Sequence, residues 1–208
     1  MCGGDYKQWE TPRHLTKVCG EEIVARTIRM LRENGVQDIS ISSNNPAFDK
    51  FGVPRLEHEN KYTVRGYNDF DGYWSEAFYP TDEPTCYIFG DVIFSPEAIR
   101  KIVEHKTNDI MLFGSRAPFA KEYPKPYREP FALKVQNTDH LKRAIKRTQE
   151  LHDLGRFHRK PIAWELWAVI CGIKLSRAYK RYEAINDYTC DIDYPSEVAF
   201  IEKMIKNG

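Results

Sequence analysis

The stretch "PTCYIFGDVIFSPEAIRKIVEH", residues 84–105, constrains the fold more than any other part of the chain. Its apolar run at residues 86–89 reads as a buried strand, and Gly90-Asp91 ends it. Ser95 can then cap a helix whose first turn accommodates Pro96, because proline lacks only an N–H that the first turn would leave unbonded. Strand, turn and capped helix form the repeating unit of α/β folds. The rhythm recurs on either side. Residues 21–34 place Ile23, Val24, Ile28 and Leu31 on one helical stripe ended by Asn34-Gly35, and the β-branched run "VQDISISSNNP" follows; "TNDIMLFGS" predicts a further buried strand.

The remaining segments fit the same class. "YNDFDGYWSEAFYPTDEP" predicts a loop with a short helix. From Thr138, Leu141, Ala144, Ile145, Leu151 and Leu154 fall on one helical face, with Lys142, Arg143, Lys146 and Arg147 turned elsewhere. "AWELWAVICGI" is apolar nearly all round and predicts a buried helix, and "SEVAFIEKMIK" predicts a terminal one. No repeat, low-complexity tract or long Pro/Gly linker divides the chain, so residues 1–208 are expected to form a single domain. With 208 residues, 41% of them hydrophobic, that domain can bury a substantial core.

Charge and cysteine usage narrow the function classes. A formal net charge of +1 supplies no global field for nucleic acid or an anionic membrane, and the basic residues of the 138–154 helix, interleaved with Glu150 and Asp153, read as a solvated face. The most apolar stretch, residues 162–173, is well short of the ~20 residues that cross a bilayer. Five scattered cysteines without a C-x-x-C pair argue against a disulfide framework and a zinc site. A cytoplasmic protein with reduced thiols is the expectation.

Two acidic sites and a glycine pair carry the candidate chemistry. Asp91 follows an apolar strand, at the strand end where open α/β sheets bind ligands. In Asp191-Ile192-Asp193 the two carboxylates project to one side if the segment is extended. One Asp from each site would suit Mg²⁺, which takes one or two carboxylates together with substrate phosphate oxygens. The alternative is that Asp91 caps a turn and Asp193 caps the helix near Pro195. Gly3-Gly4 permits positive φ and close approach of a ligand to the backbone, or marks an ordinary turn.

The order of these motifs resembles the GT-A-like nucleotidyltransferases. "PRHLTKVCGEEI" matches the block after the glycine turn, "GDVIFSPEAI" the central Gly-Asp-Val block and "DIDYPSEVAFIEK" the C-terminal acidic block. "YNDFDGYWSEAF" and "WELWAVICGI" look most like the branch that activates choline phosphate, sugar phosphates and related alcohol phosphates. The resemblance implies a three-layer α/β/α domain with a mixed, mainly parallel central sheet. It also implies transfer of a nucleoside monophosphate from an NTP, CTP or UTP favoured, to a phosphorylated alcohol or sugar. The expected cofactor is Mg²⁺, and a homodimer is the expected assembly if the chain self-associates.

Residue roles follow from the resemblance. Gly3, Gly4 and Asp5 would wrap the triphosphate, with Lys7 as a pyrophosphate contact. Arg13 stands where the family usually has lysine and would grip a phosphate through a planar fork. Asp91 and Asp193 would hold the metal at the carboxyl edge of one sheet, with Asp191 as a further ligand or outer partner; His14 is expected to bond within the loop. Ser42, Asn44 and Asn68 would read the base, or serve as turn residues. Tyr73 and Trp74, with Tyr67, Phe70 and Phe78, would line the acceptor pocket, holding a choline ammonium by cation–π attraction, or pack as core and lid. Glu165 would lie near the reacting groups or on the edge of its helix. In the family a full apolar strand precedes the glycines, whereas here only Met1 and Cys2 do, which implies a very short strand or a sequence that begins late. Two further functions compete: a GT-A glycosyltransferase using Asp191-x-Asp193, and a degenerate member that binds nucleotide without turnover.

Overall fold

A computed structural model describes residues 1–2, 9–66, 69–116 and 128–207. After a 3-10 turn at Arg13–Leu15, strands β1 (Lys17–Val18) and β2 (Glu21–Glu22) form a small antiparallel hairpin leading into helix α1 (Ile23–Glu33). Asn34 caps that helix and Gly35 continues at φ +81, the left-handed turn the Asn-Gly pair predicts. Strand β3 (Ile41–Ser42) pairs in parallel with β4 (Arg55–Leu56) across a 3-10 segment at Pro46–Phe51. The loop expected next contains an antiparallel pair, β5 (Thr63–Gly66) and β6 (Asp69–Asp71), before the expected short helix, a 3-10 turn at Trp74–Ala77.

Strand β7 (Thr85–Ile88), strand β8 (Val92–Ile93) and helix α2 (Pro96–Glu104) form the unit read from residues 84–105. The Ser95 hydroxyl accepts from Ala98 N at 2.9 Å and donates to Asp187 Oδ2 at 2.6 Å, so the cap also ties α2 to the C-terminal part of the chain. Strands β9 (Ile110–Ser115) and β10 (Pro130–Val135), helices α3 (Thr138–Asp153), α4 (Ala163–Ile170) and α5 (Leu175–Ala178), strands β11 (Glu183–Ile185) and β12 (Cys190–Asp191), and helix α6 (Val198–Asn207) complete the order.

The largest sheet has the order β11-β9-β10-β7 and is mixed. Strand β10 runs antiparallel to both β7 and β9, and β11 runs parallel to β9, so β7, β9 and β11 share one direction. Consecutive residues Phe131, Ala132 and Leu133 are all buried, which means both faces of β10 are covered. The main core gathers these strands with Ile99 and Ile102 of α2, Leu141 and Ala144 of α3, and Trp164 and Leu166 of α4.

Met1 and Cys2 lie between the mixed sheet and the β3–β4 pair. Met1 N donates to Ile88 O at 2.6 Å and Met1 O accepts from Gly90 N at 2.8 Å, the alternation of a parallel ladder along β7. Cys2 N donates to Ser42 O at 2.9 Å on the other side. A Cβ at Gly90 would lie 2.6 Å from Met1 O, so glycine is what lets the Met1-Cys2 segment approach.

The expected apolar face of α3 holds for Leu141 and Ala144 but not for Leu154, which is 67% exposed. The helix ends at Asp153 with Leu154 as its cap, and Gly155 at φ +67 turns the chain away before the stripe is complete. None of the five cysteines is in a disulfide. Among the described residues no helix is long and apolar enough to cross a membrane.

Candidate active site

The two acidic motifs meet through backbone pairing. Strand β12 runs antiparallel to β8, with Asp191 opposite Val92, and Ile192 N donates to Asp91 O at 3.0 Å. Asp91 and Asp193 therefore come together as the sequence expects, although the ladder that joins them is a separate two-stranded one and not the edge of the mixed sheet.

Between them lies Arg13, 6% exposed. Its Nη2 is ion-paired with Asp91 Oδ2, and its Nη1 donates to Asp193 Oδ1 and to Ile192 O, each at 3.0 Å. A guanidinium offers divergent donors in one plane, and here they span two carboxylates that would otherwise repel. Burial, the largest single influence, would raise the Asp91 carboxyl, but the Arg13 charge together with smaller favourable contributions, among them a backbone hydrogen bond and the N-terminal ammonium, holds it below its ordinary value. Asp193 is fixed from other directions too: Trp9 Nε1 donates to its carbonyl at 3.0 Å, and its N–H donates to Glu197 Oε2 at 2.8 Å. Glu197, not Asp193, closes the start of the last helical segment, because it also accepts from Tyr194 N at 3.2 Å.

A third carboxylate joins Asp191 and Asp193. Candidate ligand atoms of Glu129, Asp191 and Asp193 all lie within 4.8 Å of one another. Three hard oxygen donors at that spacing fit Mg²⁺ or a similar divalent ion. Asp91, expected as a ligand, is outside this group and engaged by Arg13. Glu129 was missed by sequence reading. It stands immediately before β10, held by Ser115 N donating to Glu129 O at 2.8 Å and Glu129 N donating to Ser115 Oγ at 3.0 Å. Its one signal is an acid placed before a proline that opens an apolar run.

Two cavities flank Arg13. The larger, of about 1180 Å³, is lined by Arg13, Glu129, Asp191 and Asp193 and extends to Arg128, Glu165 and Tyr179. The smaller, of about 440 Å³, is lined by Pro12, Cys2, Ser42, Asn44 and His58. Pro12 and Arg13, adjacent in sequence, thus face different cavities.

The other expected site residues fall as follows. Ser42 and Asn44 line the smaller cavity, although the Asn44 amide is committed to the His58 backbone, donating to His58 O at 2.9 Å and accepting from His58 N at 3.1 Å. Glu165 is 3% exposed and lines the larger cavity, with one oxygen accepting from Ile162 N at 3.1 Å and the other from Arg159 Nε at 3.0 Å. It caps its own helix. Tyr73 and Trp74 line neither cavity: the Tyr73 hydroxyl donates to Asp153 at 2.8 Å, and Trp74 packs edge-on against Phe78 and Phe89. Gly3, Gly4, Asp5, Lys7, Tyr67 and Asn68 lie outside the described residues. His14 is buried against Phe48, and burial pushes its imidazole down to about 3, so it is neutral at physiological pH and does not serve as a charged phosphate contact.

No protein-family model matches the chain, and no curated protein matches it.

Proposed function

We propose that the chain is a nucleotidyltransferase that transfers a nucleoside monophosphate from an NTP to a phosphorylated alcohol or sugar and releases pyrophosphate. The observation that carries this reading is the convergence of Arg13, Asp91 and the Glu129-Asp191-Asp193 group at a point flanked by two cavities. A nucleoside in the smaller cavity and an acceptor in the larger would bring their phosphates together at Pro12 and Arg13. The backbone supports it as well. The hydrogen bonds of Met1 and Cys2 link the sheets in the order β4, β3, Met1-Cys2, β7, β10, β9, β11, with the chain diverging to either side of the Met1-Cys2 segment. That is a switch point of the kind at which α/β sheets bind nucleotides, and on this reading the domain is the three-layer, mainly parallel one of the resembling family.

The chemistry is an in-line displacement. An oxygen of the acceptor phosphate forms a bond to the α-phosphorus, the bond from that phosphorus to the bridging oxygen of the β-phosphate breaks, and pyrophosphate carries the electron pair away. The nucleophile is already ionised near pH 7, so no side chain need remove a proton. Positioning and charge neutralisation are what the protein supplies. Glu129, Asp191 and Asp193 would hold Mg²⁺, which supplies charge neutralisation at the phosphate oxygens. Arg13 keeps Asp91 and Asp193 in place and presents positive charge to the same point.

The test is pyrophosphate release with Mg²⁺ across the four NTPs and a panel of alcohol and sugar phosphates. Release dependent on both a nucleotide and an acceptor is expected; none from any pair refutes the reading. The commitment of both Arg13 terminal nitrogens to carboxylates favours one second reading, a member that binds nucleotide without turnover. Nucleotide binding without pyrophosphate release would establish it.

A further inference from the structure

Resting on the nucleotidyltransferase reading, we propose that the acceptor is an alcohol phosphate whose body beyond the phosphate is hydrocarbon, and not a sugar phosphate.

The larger cavity changes character along helix α4. Trp164 Nε1 donates to Arg128 O at 3.1 Å, which sets the first turn of α4 beside Glu129 and the charged end of the cavity. Ala168 and Val169 follow one turn after Glu165 on the same helical face, and Ile173 and Leu175 continue the lining beyond that helix. Leu151 of α3, with Phe157 and Ile162 from the chain between α3 and α4, adds to the wall. Leu151, Phe157, Ile162, Val169, Ile173 and Leu175 are each half-buried, so apolar surface that the core does not cover is left at the cavity.

The polar groups on this wall are engaged within the chain. Both Glu165 oxygens accept, from Ile162 N and Arg159 Nε, and the Trp164 N–H is held by Arg128 O. Among the described residues the lining holds no Asn, Gln or Thr, and its one aliphatic hydroxyl, on Ser176, is exposed, as are Arg156, His158 and Lys174. The smaller cavity is the opposite, lined by Ser42, Ser43, Asn44, Asn45, Asn60 and Thr63. A sugar ring set against the apolar wall would leave hydroxyls without partners, whereas an alkyl body gains from being covered by the same surface. Charge complementarity fixes the direction. The acceptor phosphate goes to Arg13 and the metal group, where the reaction takes place, and a cavity of about 1180 Å³ leaves room for the body to extend along α4.

The experiment is titration calorimetry on the full chain with Mg²⁺ and five probes below micelle-forming concentrations: butyl, hexyl and octyl phosphate, glucose 1-phosphate and phosphocholine. Each two-carbon extension is expected to tighten binding about tenfold until the chain reaches the end of the wall, as burial of two methylenes implies. Glucose 1-phosphate and phosphocholine should bind more weakly than hexyl phosphate, the latter because an ammonium resists desolvation. Val169→Phe fills the wall without adding polarity and should move the length at which the gain stops to a shorter chain. If that variant does not fold, Ile173→Thr, in the link between α4 and α5, puts a hydroxyl on the wall and should reduce the gain per extension. Affinity independent of chain length, glucose 1-phosphate or phosphocholine binding as tightly as hexyl phosphate, an unaltered length dependence in the variant that folds, or binding of none would overturn the proposal. Pyrophosphate release with each NTP is read in parallel. The expected length dependence without release from any pair would sink the nucleotidyltransferase reading alone, whereas release fastest with glucose 1-phosphate would sink the hydrocarbon acceptor alone.

Discussion

Arg13 is the residue on which the site turns, since it is nearly buried and keeps its charge by touching two carboxylates. Removing one partner from a buried ionic cluster leaves the others uncompensated, which costs about 3 kcal/mol or more, whereas an exposed pair is worth little. Arg13→Ala is therefore expected to lower unfolding stability by about 3 kcal/mol and turnover by about 10²-fold, the loss typical of a preorganised cationic or donor group. Mg²⁺ should restore part of the stability in Arg13→Ala and less in the parent, because a divalent ion can supply the missing charge. Arg13→Lys should fall between, since one ammonium cannot span both carboxylates in a plane. Denaturant melts with and without Mg²⁺ decide it; unchanged stability in Arg13→Ala would mean that the cluster is not held by this charge. Asp91→Ala should lower stability as well, because that change also strands a buried guanidinium.

At the scale of elements, the third carboxylate depends on how β9 meets β10. Gly114 pairs with Pro130 where the register shifts, and a Cβ there would run into the Glu129 carbonyl oxygen. The close approach is what lets Ser115 grip the Glu129 backbone from both sides. Gly114→Ala should force the start of β10 away, costing about 1–3 kcal/mol as overpacking does, and should carry Glu129 out of reach of Asp191 and Asp193. The expected result is a weakened Mg²⁺-dependent rise in melting temperature alongside a lower melting temperature without Mg²⁺. Glu129→Gln should reproduce the first effect without the second. Normal Mg²⁺ stabilisation in both variants would remove Glu129 from the site.

For the whole molecule, the junction beneath Met1 and Cys2 makes acid stability a readable property. His14 packs beside Gly90 and Phe48 at this junction, and its folded value of about 3 lies below the ordinary 6.5. Between those values the unfolded chain takes up a proton that the folded chain refuses, so stability is fully present above pH 6.5 and declines as pH falls towards 3. Taking the pH from 7 to 5 should cost about 2 kcal/mol through this residue alone. Asp91 acts in the same direction but only lower, as pH falls through the acidic range of its depressed carboxyl. In His14→Gln the pH 5–7 slope of unfolding free energy should flatten; an unchanged slope would assign it to other groups.

The local elements were legible in sequence because their causes are local. The Ser95-Pro96 start of α2, the Asn34-Gly35 end of α1 and the apolar runs of β7 and β9 follow from capping, backbone freedom and apolar content, and the structure has each element, although β7, read as buried, leaves Cys86 exposed at the edge of the mixed sheet. Asp91 and Asp193 could be matched because each sits in a recognisable local motif. What tertiary structure alone decided is who touches whom. Glu129 has no motif of its own and enters the site only because β9 and β10 pair with Gly114 opposite Pro130 and close against the Glu129 carbonyl. Arg13 reads as a phosphate contact in isolation, and becomes a bridge between two carboxylates only when the β8–β12 ladder brings them to either side of it. Of the aromatic residues expected to greet a ligand, Trp74 and Phe78 pack on each other and Phe70 and Tyr73 meet Lys160, since large rings are covered by the chain's own side chains. Spacing along a sequence determines elements. Partnership between charges 78 and 180 residues apart depends on the packing that brings their backbones together.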